Sequence, residues 1–295
     1  MINAIQKVRN IISKILTVFK KVPETFCFLC TKDKILLNVW MQLSKDNVMH
    51  SNFGDDLNYY LMKSLTNKHI FNLSNILVKN KVNILAVGSI IESHTNKDSI
   101  IWGSGAMYGG DKRLIEHPRK VLAVRGPLTR EYLLAQGIAC PEVYGDPALL
   151  LPKIYAPQVC KKYKLGIIPH YVDIDSEKLD SLRNDPEVKI INLRGYDDWK
   201  KVIDSICECE FVVSSSLHGL IISDSYGIPN QWIRLSDKIS GGNFKYLDYF
   251  MSVGRDTSKP LSFELGITKE ELLLYKESYK PIVWDPQELL SVAPF

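Results

Sequence analysis

No apolar run approaches the roughly 20 residues that a membrane-spanning helix needs, so nothing in this 295-residue chain is expected to cross a bilayer. Charge of one sign is also scarce, since the formal balance is only +4. A nucleic-acid partner is therefore not indicated by charge. The six cysteines are Cys27, Cys30, Cys140, Cys160, Cys207 and Cys209, and they are dispersed. That excludes the dense disulfide framework of a small secreted domain and fits reduced thiols in a cytoplasmic protein. Cys27-x-x-Cys30 has metal-like spacing but lacks a second ligand pair at matching distance, so no metal site is expected. Fixed-period repeats and low-complexity tracts are missing too. Gly103-x-Gly105-x-x-x-Gly109 misses the spacing of a dinucleotide fingerprint, which argues against NAD binding.

What remains is the composition of a folded α/β chain, 45% hydrophobic and 24% charged, long enough for two cores. Its most informative stretch runs from Phe211 to Lys238. Phe211 to Ser214 reads as a buried strand that breaks at Ser214-Ser-Ser216 and enters a helix carrying His218 in its first turn. Small capping residues before a helix start leave unpaired N–H groups and the positive end of the helix dipole facing outward, a natural anion site. Ser215 and Ser216 belong to that start. Gly227-Ile-Pro229 ends the helix, and Gln231 to Leu235 reads as the next strand.

Strand and helix patterns alternate along both halves. Ile35 to Met41, Val82 to Val87, Ser99 to Trp102 and Val121 to Val124 read as strands of one sheet, with a further short strand in Glu142 to Ala148. Between the first two, Asn52 and Gly54 suit a tight loop, and Asp55 or Asp56 is expected to cap a helix running to about Leu65. Either those acids are only caps, or Asn52, Asp55 and Asp56 face a cleft and bind a polyhydroxyl substrate. Arg125 stands at a strand's carboxyl end, where its planar fork suits a carboxylate or phosphate. Leu149 to Pro152 and Pro157 to Lys164 read as a linker. Beyond it come strands at Leu165 to Ile168 and Val188 to Leu193, helical stretches at Ser176 to Asn184 and Trp199 to Glu208, and His170 just past a strand end. The expected architecture is α/β, two Rossmann-like doubly wound domains facing a cleft. Residues 31–156 form the first domain and 157–270 the second. A helical tail covers 271–295.

The segment 1–30 stands apart. Ile2, Ile5, Val8, Ile11, Ile12, Ile15, Leu16 and Phe19 recur at helical spacing, and Lys7, Arg9, Lys14, Lys20 and Lys21 precede the first acid, Glu24. It reads as a basic amphipathic helix that either lies on an anionic membrane surface or packs on the protein.

Asn52-Phe-Gly-Asp-Asp56, Trp102-Gly-Ser-Gly105, Val124-Arg-Gly-Pro-Leu128, Tyr144-Gly-Asp-Pro-Ala148, Ile168-Pro-His-Tyr171 and Ser214-Ser-Ser-Leu-His-Gly-Leu-Ile221, in that order, resemble the polysaccharide pyruvyl transferase family. The resemblance implies a two-domain fold similar to the B-type glycosyltransferases. It implies transfer from phosphoenolpyruvate to a sugar diol, giving a pyruvate ketal, without a cofactor beyond that co-substrate. It puts the essential histidine at His218 and donor-site cations at Arg125 and Lys238. Some members carry an arginine two residues before the histidine, where this chain has Ser216, and Arg234 or Lys245 would compensate. Asn52, Asp55 and Asp56, with His170, fall on the acceptor side. A glycan acceptor on undecaprenyl diphosphate would place the protein in the cytoplasm, peripheral to the inner face of the membrane. The competing expectations are a nucleotide-sugar glycosyltransferase of the same fold and a catalytically degenerate binding protein of polysaccharide assembly.

Overall fold

A computed structural model of the chain describes residues 2–44, 47–48, 50–110, 112–256 and 259–295. The first half holds five parallel strands, β1 (Lys34–Leu37), β2 (His69–Asn72), β3 (Asn83–Leu85), β4 (Ser99–Trp102) and β5 (Lys120–Ala123), in the order β2-β1-β3-β4-β5. The second half holds five more, β6 (Tyr163–Ile168), β7 (Val188–Ile190), β8 (Cys209–Ser214), β9 (Asn230–Arg234) and β10 (Leu261–Ser262), in the order β10-β9-β8-β6-β7. Central strands such as β8, with Phe211, Val212 and Val213 all buried, carry apolar residues on both faces because both faces are covered. The α/β class with two Rossmann-like sheets is thus as expected.

In each sheet the chain first builds outward on one side and then returns to build on the other. The reversal falls between β1 and β3 in the first sheet and between β6 and β8 in the second. Ligands of open α/β sheets bind outside the carboxyl ends of strands at such reversals. Here the two reversals open into the same cleft.

Two helices fix its walls. Helix α2 (Phe53–Thr66) is capped by Asn52, whose side chain accepts from the Gly54 N–H at 3.3 Å. The cap is therefore neither Asp55 nor Asp56, which sit inside the first turn and complement the dipole. Helix α5 (Leu217–Ser225) follows β8 and is buried on nearly all sides, with Leu220, Ile221 and Ile222 fully buried and Ser223 and Asp224 enclosed as well. One core cluster joins residues of both halves around it.

Several sequence expectations change. Leu149 to Leu151 are buried core residues on a short helical segment packed against α5, and so do not act as linker. Glu142 to Ala148 contributes only a single bridging pair, Val124 with Tyr144, in place of a strand. The helical stretch expected at Ser176 to Asn184 is present, as one 3-10 turn over Glu177–Leu179 running into an α-helical turn over Asp180–Arg183. Strands β2 and β10 were not foreseen.

The last 25 residues, which the sequence left unplaced, first pack on the second half, with Leu272 in its core and Lys276 donating to Glu210 at 2.9 Å, and return to the first half from Trp284 onward. The Trp102 indole donates to the Leu289 carbonyl at 2.9 Å and the Trp284 indole to the Tyr144 carbonyl at 3.0 Å, while Phe295 packs edge-on against Trp102. Leu289 is fully buried in the common core. We expect Leu289→Ala to destabilise the whole chain by about 2–5 kcal/mol, read as a lower urea midpoint in a single transition. A first transition confined to the tail would show that it is not part of that core.

Candidate active site

The cleft encloses about 410 Å³ and is lined from both halves. Trp40 and Gly88 to Ile90 come from beyond β1 and β3, and Pro169 to Val172 from beyond β6. Ser216 to His218 follow β8, and Asn52 and Asp55 come from the start of α2. Lys238 reaches in from the loop after β9 and Lys245 from helix α6 (Phe244–Ser252).

His218 is the group most tightly constrained. A Cβ on Gly54 would lie 2.1 Å from its Nδ1, so the first turn of α2 can pass across the imidazole only because residue 54 has no side chain. The residue is half-buried at the cleft wall, and its Nε2 is out of reach of solvent with no partner among the described residues. Burial, with the charges of Arg125 and Lys245 adding to it, pushes the imidazole down to about 3, so it is neutral at physiological pH. A buried ring nitrogen without a partner is costly unless a ligand supplies one.

Around it the helix start is open. Ser216 has the extended backbone of an N-cap, but its side chain makes no capping bond. Ser214 does the local work instead, accepting from the Ser216 N–H at 3.0 Å and donating to the Ile168 carbonyl at 2.9 Å. Ser215 is fully buried, accepts from the His170 N–H at 2.8 Å and lies behind the cleft wall.

Three cations line the cleft: Arg194, Lys238 and Lys245. Lys245 is buried, and no carboxylate among the described residues pairs with it. Burial pulls its ammonium down to about 8, with Arg125 nearby adding to the effect. Arg194, which the sequence reading passed over, donates to the Ser51 carbonyl at 2.9 Å and lies over the Tyr171 ring at 4.0 Å. Its position directly after the expected strand Val188 to Leu193, where cleft residues collect, was the available signal.

Arg125 is placed differently from its expectation. It is fully buried and does not line the cleft. Its fork is taken by Asp248 of α6 at 3.0 Å, the Ala106 carbonyl at 2.7 Å and the Ser89 hydroxyl. The guanidinium thus stands behind the cleft floor, reaching it only through Ser89 and through its field. Arg234 also stays outside, donating to Asn243 and lying 3.6 Å from Asp237.

On the wall formed by the start of α2, Asn52 donates to Asp55 at 2.7 Å. Burial and the neighbouring Asp56 raise the Asp55 carboxyl to about 7. Asp56 is buried behind the wall, accepts from the Tyr196 hydroxyl at 2.8 Å and does not line the cleft. His170 does line it, and burial lowers its ring to about 4.

Comparison with known proteins finds relatives over most of the chain. The family described as polysaccharide pyruvyl transferase matches residues 35–237. An uncharacterized protein of Acanthamoeba polyphaga mimivirus is 31% identical over 210 residues, covering 69% of this chain and 71% of that one. The succinoglycan biosynthesis protein ExoV of Rhizobium meliloti (strain 1021) is 29% identical over 210 residues, covering 70% of this chain and 62% of that one, so the chain spans less than two thirds of ExoV. No solved structure matches the chain.

Two of the cleft's titrating groups, His218 and Asp55, oppose each other in stability. His218 is depressed from 6.5, so between its folded value and 6.5 the unfolded chain binds more protons and stability falls as pH drops. Asp55 is raised from 3.8, so up to about 7 the folded chain binds more protons and stability falls as pH rises. Asp55→Asn removes the second effect. Its urea midpoint should climb between pH 4 and 6.5 more steeply than that of the unaltered protein; equal slopes would show that Asp55 is not raised.

Proposed function

Because the chain belongs to the polysaccharide pyruvyl transferase family, we propose that its cleft transfers the pyruvyl unit of phosphoenolpyruvate to two hydroxyls of one sugar, forming a pyruvate ketal. The observation that carries this reading is the unpartnered His218 Nε2 at an open helix start, beside a buried lysine with no carboxylate of its own. The donor brings a carboxylate and a phosphate, and the helix start, Lys245, Lys238 and Arg194 are the groups that can receive them.

In this scheme a proton adds to the donor's methylene carbon, and the neighbouring carbon becomes electrophilic. A sugar hydroxyl bonds to that carbon and gives up its proton. A second hydroxyl of the same sugar then bonds to it as the carbon–oxygen bond to phosphate breaks. One hydroxyl proton balances the one added to the methylene, and the other leaves with phosphate. Neutral His218 is suited to accept the first hydroxyl's proton. The donor's negative charge beside it would then stabilise the imidazolium and let it return a proton. Asn52 and Asp55 hold the sugar, with His170 at the same wall. Arg125 acts from behind, orienting Ser89 and adding positive field. The scheme calls on no metal, since these cations meet the donor's charge.

The same reading assigns the acceptor to residues 31–156 and the donor to 157–270, in an arrangement like the B-type glycosyltransferases. Two parallel sheets whose reversals share one cleft, and a tail that crosses back to the first half, support it. A glycan repeat unit on undecaprenyl diphosphate is the acceptor class proposed. That places the reaction at the cytoplasmic face of the membrane.

His218→Ala should lower transfer by about 10²–10⁴-fold with the fold retained; near-normal turnover would sink the assignment. Lys245→Ala and Lys238→Ala should raise the half-saturating phosphoenolpyruvate concentration. Heat-shift measurements should show stabilisation by phosphoenolpyruvate. Stabilisation by a nucleotide sugar alone would favour a glycosyltransferase, and by neither, a binding protein with a degenerate site.

A further inference from the structure

The N-terminal helix α1 (Ile2–Cys30) is tied down near its carboxyl end. Phe28 is buried edge-on against Phe71 at 5.3 Å between centroids, in a small cluster with Leu36 and Ile76. Thr25 accepts from the Leu77 N–H at 2.9 Å, and Lys34 donates to the Phe28 carbonyl and covers its ring. Of the stripe expected from the sequence, the side chains of Ile2, Ile5, Val8, Ile11, Lys14 and Ile15 lie outside the described residues.

The described rest of the stripe, Ile12, Leu16 and Phe19, is laid open, and Val22, Phe26 and Leu29 extend it beyond the expected stretch. All are exposed, Phe19 by 68% and Phe26 by 69%. At about 100° per residue they fall within an arc of about 140°. Arg9 and Lys20 border that arc on one side and Lys7 on the other, while Lys21 falls on the docking side near Phe28. The face that docks, carrying Phe28, lies opposite. A helix meant to finish a core would bury its apolar arc; this one buries its other side.

The surface continues past the helix. Lys21 shares a shallow groove with Lys79, Lys81 and Lys97, against which stand only Asp98 and Glu116, and Glu116 is engaged by the Lys97 backbone N–H at 3.1 Å. Leu77 and Val82, between and beside those lysines, are exposed as well. This groove lies at the amino ends of β3 and β4, whereas the cleft opens at their carboxyl ends.

We propose that α1 and the Leu77–Val82 loop form a docking surface for an anionic lipid bilayer, with the apolar arc sunk among the acyl chains and the lysines against headgroup phosphates. A basic border around an apolar arc is what an in-plane helix needs on such a surface. The same border disfavours a second copy of this chain, because two such helices would bring their lysines and arginines together. The surface is separate from the cleft, and its test reads binding, not turnover, so failure of either proposal leaves the other standing.

The full chain should sediment with vesicles of phosphatidylcholine containing about one-third phosphatidylglycerol and much less with phosphatidylcholine alone. Leu16→Ser with Phe19→Ser should weaken this binding by about tenfold or more. Lys79→Glu with Lys81→Glu should weaken it and flatten its salt dependence. Both pairs are exposed, so circular dichroism should confirm an unchanged fold. Equal binding to neutral vesicles, no binding to either, or a solution dimer dissolved by the Leu16 and Phe19 changes would overturn the proposal. The dimer would assign the same face to a protein partner.

Discussion

A guanidinium removed from water must be neutralised where it stands, and Arg125 meets that demand with a carboxylate from the other half of the molecule. Asp248 accepts from Arg125 and also from the Thr129 N–H at 2.8 Å and the Thr129 hydroxyl at 2.7 Å. All three groups are fully buried. Leaving either charge unpaired in such a site costs about 3–5 kcal/mol, so β5, α6 and the helix that Gly126 opens are held in one register. Gly126 makes the approach sterically available, since a Cβ there would lie 1.9 Å from the Asp248 carbonyl oxygen. Gly105 does the same for the guanidinium, with its Cζ 2.2 Å from a hypothetical Cβ. The pair therefore fixes how the two sheets meet, and with it the width of the cleft and the placement of Lys245, three residues before Asp248.

A second buried carboxylate ties the remaining pieces to the helix behind His218. Asp224 near the end of α5 accepts from Tyr249 of α6 at 2.7 Å, from Arg255 at 2.9 Å, from Asn230 of β9 at 2.6 Å and from Tyr279 at 3.1 Å. Both ends of α5 are thus constrained, the carboxyl end by this network and the amino end by Gly54 lying across His218. The helix cannot turn or slide without breaking one of them. That rigidity is what lets an imidazole be kept neutral, half-buried and short of a partner until a ligand arrives.

The sequence disclosed those parts whose cause is local. Apolar runs ending in small polar residues located the central strands, and β4 matches its expected bounds at Ser99 and Trp102. His218 and the open helix start could be read from Ser214-Ser-Ser-Leu-His because capping chemistry and helix dipoles act within one turn. What stayed hidden depends on long-range pairing. The edge strands β2 and β10 are short and draw their stability from a neighbour that no local pattern names. Leu149-Leu-Leu-Pro152 resembles a linker until α5 is seen to need a surface to pack on. Arg125 was correctly placed at a strand end, but the same residue type serves an anion or a buried ion pair. Only the arrival of Asp248, 123 residues later, decides where its fork points.

This division of labour among cations follows from physical chemistry. A buried arginine cannot shed its proton, so it must be matched by a permanent acid and can act on the cleft only as fixed field and through Ser89. Lysine can be left unmatched, because burial lowers its proton affinity and makes a solitary ammonium tolerable, as at Lys245. The group without a carboxylate is then the one whose charge is still available to an incoming anion. Serine at position 216 is consistent with this arrangement. With Lys245 buried below and Lys238 and Arg194 at the rim, the helix start needs no further permanent charge, and a third guanidinium beside His218 would hold its imidazole neutral even after the donor binds. The unpartnered ring nitrogen, the unmatched lysine and the uncapped serine are three open valences on one rigid frame, and a donor carrying two anionic groups beside a reacting carbon is a ligand that could satisfy all three.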